Sequence, residues 1–281
     1  MTTTARPQAP TAPSAPSRLS VLRTIWARGV ADKATVIGVL TFYALAFGAG
    51  VGALWIPLKD VFADLVFPAA FDAILGGAPI NTPAGWVNAE LLSMVGPGLL
   101  IAAALISATA ATAGEEQRHT LALVLSTGVS RSTFLAAKTA AVLTHVLVVA
   151  AGMVGGLVLG NLFGDLGLGV GAMLLATLWM VLIALVYAAI ALTVGTLTGD
   201  TRTTMAATAG IAAVSVVLAL FLPIKASLAE WAKINLWYPY SGNVAIVDGI
   251  DWGLAAVMVT VTVVVSAIGF LGIRRRGDLR G

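Results

Sequence analysis

The chain has 281 residues, of which 59% are hydrophobic and only 10% charged, and its mean hydropathy is +0.97. That composition leaves too little polar surface to clothe a water-soluble domain of this size. The net charge of +3 gives no case for a nucleic-acid partner, and the absence of cysteine excludes disulfides and thiolate chemistry.

From the N-terminus, residues 1–17 are rich in Thr, Ala and Pro and have little apolar surface to bury, so a disordered tail is predicted. The tail lacks the apolar core of a signal peptide. Residues 18–281 read as a single transmembrane domain. Between Ser17 and Lys33, the residues Leu22, Ile25, Trp26 and Val30 recur at helical spacing among Arg18, Arg23 and Arg28. This predicts an amphipathic interfacial helix; the plainer alternative is a positive flank to the first span.

Six stretches follow that contain no Asp, Glu, Lys or Arg: Ala34–Ile56, Leu91–Ala113, Thr139–Leu162, Val170–Val194, Met205–Leu222 and Trp252–Ile273. At about 1.5 Å rise per residue, each matches the ~30 Å hydrocarbon core of a bilayer. Lipid offers the backbone no hydrogen-bond partner, so spans are helices or a closed barrel. Barrel strands are shorter and alternate in polarity, which these runs do not. The fold class is therefore all-α, a polytopic membrane protein with six transmembrane helices.

Thirteen Lys and Arg residues fall on the side of the two termini and three, Lys59, Lys225 and Lys233, on the other. The excess of positive charge marks the cytoplasmic side, so both termini are expected there. The opposite segments carry Asp60, Asp64, Asp72 and Glu90, and later Trp231, Trp237, Tyr238 and Tyr240. The aromatic group is expected to anchor at the headgroup boundary. Within the spans, Pro97 is expected to kink span two, and Gly152, Gly156 and Gly160 form a stripe that permits close helix approach, within the chain or at a dimer seam. His145 stands in span three without an intramembrane acid, which favours a hydrogen bond to another helix over a proton relay.

The segment between spans two and three is the most specific. Glu115 and Glu116 open it, as suits a helix N-terminus, and Leu121, Val124 and Leu125 form a short apolar ridge. Gly128 ends that helix, and Ser130 or Ser132 caps the next. The run resembles the signature of the type 2 class of ATP-binding-cassette transporter permeases: a double acid, a Gly-Thr-Leu-Glu run, a leucine-rich turn and Pro-Val-Ser-Arg before a Lys. Matches fall at Glu115, Glu116, Thr120, Leu121, Leu123, Leu125, Ser126, Val129, Ser130, Arg131 and Lys138, with departures at His119, Ala122 and Gly128.

By that resemblance, residues 115–127 form a coupling helix seated in a cytosolic ATPase. Glu115, Glu116, Thr120, Leu121 and Leu125 would transmit its movement, Ser130 would belong to the same ATPase-coupling set, and Arg131 would hold the turn against headgroups or the ATPase. The resemblance also implies a second permease bundle, as a homo- or heterodimer, and a pathway along spans two and five, with Ser93, Pro97, Ser107, Thr109, Thr208 and Ser215 as candidate lining. No lysine follows a glycine, so the chain has no phosphate loop, and ATP and Mg would bind the partner. No catalytic or metal-binding residue and no cofactor of its own is expected. The functional expectation is an exporter permease of the cell membrane for a lipid-like, drug or peptide substrate. Alternatives are an accessory permease for extracytoplasmic metalloenzyme maturation or self-immunity, and remotely an intramembrane hydrolase, which would need acids or a Ser–His pair within the membrane.

Overall fold

The computed structural model describes residues 17–63, 77–118, 120, 124, 126 and 128–275. Residues 1–16 of the predicted tail, Asp64, Asp72, Leu121, Leu123, Leu125, Arg276 and Arg280 lie outside the described residues, whereas Ser17, the last residue of that tail, is ordered as a helix cap. Among those described there is no strand, and six helices are long and apolar enough to cross a membrane.

Helix α1 (Arg18–Asp32) starts at Ser17, whose hydroxyl accepts from the Ser20 amide, and is separated by Lys33 alone from α2 (Ala34–Ala53), the first span. A short helix α3 (Trp55–Ala63) follows. The second span is built in pieces. Helix α4 (Pro83–Val87) runs through a π turn at Asn88–Leu92, stops at Ser93 and Met94, resumes as α5 (Val95–Ala111) and ends in α6 (Ala113–Gln117). The stop lies one turn before Pro97, whose ring collides with the carbonyl four residues back and which donates no hydrogen bond. The predicted kink is thus a break.

The third span, α7 (Arg131–Gly164), has 34 residues and is about 51 Å long, so it projects well beyond the bilayer core. Ser130 caps it by accepting from the Thr133 amide at 3.1 Å, after Gly128 has turned the chain at φ +83°. Helices α8 (Val170–Thr198), α9 (Thr201–Phe221) and, after the short α10 (Ala229–Ala232), α11 (Tyr238–Ser241) and α12 (Ala245–Asp248), α13 (Trp252–Arg275) complete the chain.

Helices α1 and α2 run alongside α7 in the same direction with a nearly constant offset. Ile25 packs with Phe134, Gly29 on Ala141, and Gly48 on Gly156. The glycine stripe makes this possible. A Cβ on Gly152 would lie 2.6 Å from the Thr41 carbonyl oxygen, one on Gly156 2.6 Å from that of Leu45, and one on Gly160 2.5 Å from that of Gly48. The stripe is an intrachain seam, where missing side chains let two backbones touch. Helix α8 is the centre of the bundle, with Tyr187, Met180 and Ile183 fully buried against the other spans.

The aromatic cluster between spans five and six departs from the expected anchoring. Trp231 is exposed, as an anchor must be, but Trp237 and Tyr240 are buried. The Trp179 indole donates to the Tyr240 carbonyl at 2.9 Å, and the Tyr240 hydroxyl donates to the carbonyl of Leu92. The break in span two frees that carbonyl, and burying an unpaired acceptor is costly, so a tyrosine from a distant loop satisfies it. Burial pushes the Tyr240 hydroxyl well above its ordinary pKa, and it remains a donor.

Candidate functional site

Thr112 ends α5 outside helical geometry, and the next turn presents four consecutive polar side chains, Glu115 to Arg118, on the face of the bundle where α7 begins and α13 ends. Each reaches a different element.

Glu115 forms an ion pair with Lys138 of α7 and accepts from the Thr120 hydroxyl on its other oxygen. The pair is largely withdrawn from solvent, with 6% of the lysine and 16% of the glutamate side chain exposed. Lys138 also lies 5.6 Å from the centre of the Phe134 ring, a cation–π arrangement.

Glu116 is buried at the far end of α8, its carboxylate against Gly199. Gly199 closes α8 at φ +64°, and a Cβ there would sit 2.5 Å from the Glu116 carboxylate, so both backbone and neighbour demand glycine.

The Gln117 amide donates to Asp200 at 2.9 Å and accepts from the Thr201 hydroxyl at 2.8 Å. Asp200 is the cap of α9, accepting from the Thr203 amide at 2.6 Å. The Thr203 hydrogen bonds hold the Asp200 carboxyl below its ordinary pKa.

Arg118 returns to its own helix by donating to the Gly114 carbonyl at 3.1 Å, and its guanidinium faces Asp32, the last residue of α1, at 3.4 Å. Partial burial pushes the Asp32 carboxyl up, but the Arg118 hydrogen bond and the charges of Lys33, Arg118 and Lys138 outweigh it, leaving the group below its ordinary value. One helical turn therefore joins α1, α7, α8 and α9.

Two further contacts fasten the same face. Arg131 donates to the Ile273 carbonyl in the last turn of α13 at 3.2 Å, satisfying a carbonyl near the helix end. His145, buried in α7, meets the Val30 carbonyl with Nε2 at 3.1 Å and the Ser107 hydroxyl with Nδ1 at 2.8 Å. A carbonyl only accepts, so Nε2 carries the proton and Nδ1 accepts from Ser107. The imidazole thus bonds α1 and α5 to α7, as its sequence context favoured.

The sequence-predicted residues divide accordingly. Glu115, Glu116 and Thr120 come together in the hub; Leu121 and Leu125 lie outside the described residues; Ser130 and Arg131 act one turn away. Of the candidate lining residues, Ser93 borders a cavity with Val216 and Ala219 of span five, and the others are buried within the bundle. Ser93 bonds the Ala89 carbonyl, Pro97 is buried, Ser107 holds His145, and Ser215 is buried beside Tyr187. The hydroxyls of Thr109 and Thr208 are buried without a hydrogen-bond partner. Gln117, Arg118, Asp32 and Asp200 were not singled out by sequence. Asp200 was accessible as an acid before Thr201-Arg202-Thr203, the pattern of a helix cap.

A family model described as ABC-2 family transporter protein matches residues 80–272, more than half of the chain. No curated protein and no solved structure matches it. The chain belongs to the ABC-2 family of transporter proteins, as a membrane-spanning permease component of an ABC transporter that works with an ATP-binding-cassette ATPase.

Proposed function

We propose that this ABC-2 family member is the permease subunit of an exporter in the cytoplasmic membrane. Its termini lie in the cytosol, and it pairs with a second permease bundle and with ATPase subunits that bind the ATP and Mg. The substrate class is a lipid-like compound, drug or peptide, carried along spans two and five. The charge asymmetry, thirteen basic residues against three, supports the orientation.

The observation that carries the reading is the fan of Glu115, Glu116, Gln117 and Arg118. A force applied by an ATPase to residues 115–127 reaches α7 through Lys138, the α8–α9 turn through Gly199 and Asp200, and α1 through Asp32. Such a turn moves four helix ends together, which is what coupling a nucleotide cycle to bundle rocking requires.

Affinity purification of the full chain from its native membrane in mild detergent tests this. A phosphate-loop ATPase should co-purify, and Leu121→Asp should abolish its association while leaving membrane insertion intact. Recovery of wild-type amounts of ATPase with that variant would remove the coupling-helix assignment.

A further inference from the structure

A cavity of about 750 Å³ lies on the terminal face, between α1 and the first turns of α7. Its apolar wall includes Val21, Ile25, Val129 and Phe134, and its polar wall Arg28, Asp32, Glu115, Arg118 and Lys138. Both carboxylates already have cations: Glu115 holds Lys138, and Asp32 faces Arg118 and Lys33. Arg28 enters none of the ion pairs among the described residues, so the cavity keeps one cation without a counter-charge.

The level of the cavity is fixed by Lys138, the last charged residue before the uncharged run from Thr139 to Leu162. That is headgroup depth, where apolar side chains meet acyl chains and basic side chains meet phosphates. A soluble anion would satisfy Arg28 and leave the apolar wall bare. A zwitterionic lipid would bring its own cation towards Arg28 and Arg118.

We propose that this cavity is a binding site for one anionic phospholipid of the surrounding bilayer. Its phosphodiester lies at Arg28 and Arg118, and its acyl chain lies on Val21, Ile25 and Phe134. Because Glu115, Arg118 and Thr120 also border the cavity, the lipid sits against the hub and braces α1 on α7. The proposal does not depend on the transport reading.

Native mass spectrometry of the full-length chain in mild detergent, titrated with phosphatidylglycerol or phosphatidylcholine, tests it. One phosphatidylglycerol should stay bound per chain, preferred about fivefold over phosphatidylcholine, the size of one basic contact. Arg28→Gln should erase that preference, Arg23→Gln should keep it, and Val129→Trp, which fills the cavity, should block retention of the lipid. Melting curves verify that each variant is folded. Absence of retained phosphatidylglycerol on the wild type, or equal loss of preference with Arg23→Gln, which would indicate a diffuse field, overturns the site. So does lipid preference intact in Arg28→Gln with only the ATPase lost, because the cavity would then belong to a protein partner.

Discussion

Spans three and five carry the same kind of signal and meet opposite fates. One has Gly152, Gly156 and Gly160, the other Ala206, Gly210 and, one turn on, Ala213. Yet Gly156 lies against the backbone of α2, while a Cβ on Gly210 would enter open space. Half of the most apolar window of span three is buried inside the bundle against 17% for span five, at the same mean hydropathy of 2.3. Small residues license close approach without naming the partner, because a lipid tail and a leucine are equally apolar. The closed part of the molecule is spans two to four, the seam of span one on span three and the polar hub; the open part is the outer faces of spans five and six, each with 17% of its apolar window buried.

The strongest way to break this division is Glu115→Gln. It leaves Lys138 buried without its counter-charge, and the expected loss is about 3–5 kcal/mol, read as a fall in melting temperature in a fixed detergent. The pair Glu115→Gln with Lys138→Met should regain most of it. An unshifted melting curve for the single variant would mean that Lys138 is solvated and the hub open.

The two stripes should respond differently to the same added side chain. Gly160→Val drives a side chain into the Gly48 carbonyl and should cost about 3 kcal/mol, whereas Gly210→Val should stay within about 0.5 kcal/mol. Equal melting shifts in the two variants would erase the distinction between seam and open face.

His145→Phe keeps the ring volume but removes both hydrogen bonds, leaving the Val30 carbonyl and Ser107 hydroxyl to find other partners. The expected cost is about 1–3 kcal/mol, with faster proteolysis of α1 as the local sign that it has come away from α7. Proteolysis unchanged from wild type would show that the seam alone holds α1.

The smallest effect concerns pH. The Asp32 carboxyl titrates below its ordinary value when folded, so its contact with Arg118 contributes fully above the unfolded pKa of about 3.9 and is lost as pH falls through the folded value. The contact is partly exposed and screened, so Asp32→Asn should lower stability at neutral pH by no more than about 0.5 kcal/mol. The two melting temperatures should converge on acidification below about pH 4, and a gap that persists there would assign the effect to packing.

Much of the local structure was legible. Gly128 and Ser130 marked the helix boundary where the chain turns, and Pro97 marked the break in span two, because these residues act through their own backbones and near neighbours. The segment between spans two and three was legible as a pattern, and Glu115, Glu116 and Thr120 do come together. Their partners were not. Lys138 lies 23 residues from Glu115, Asp200 83 from Gln117, and Asp32 86 from Arg118, and nothing periodic connects them. The aromatic residues misled for the same reason: Trp237 and Tyr240 have the composition of an interface anchor, but the free Leu92 carbonyl that holds Tyr240 arises only once span two has broken.

By itself, then, the sequence determined that the chain crosses a membrane six times as helices, since the absence of charge over each span and the need of the backbone for partners in lipid leave no other solution. Only the tertiary structure decided which apolar faces close on one another and which remain open, and which charges pair across the terminal face. Those choices depend on shape and distance between remote segments, where hydropathy, nearly equal for span four at 2.5 and span five at 2.3, carries no information.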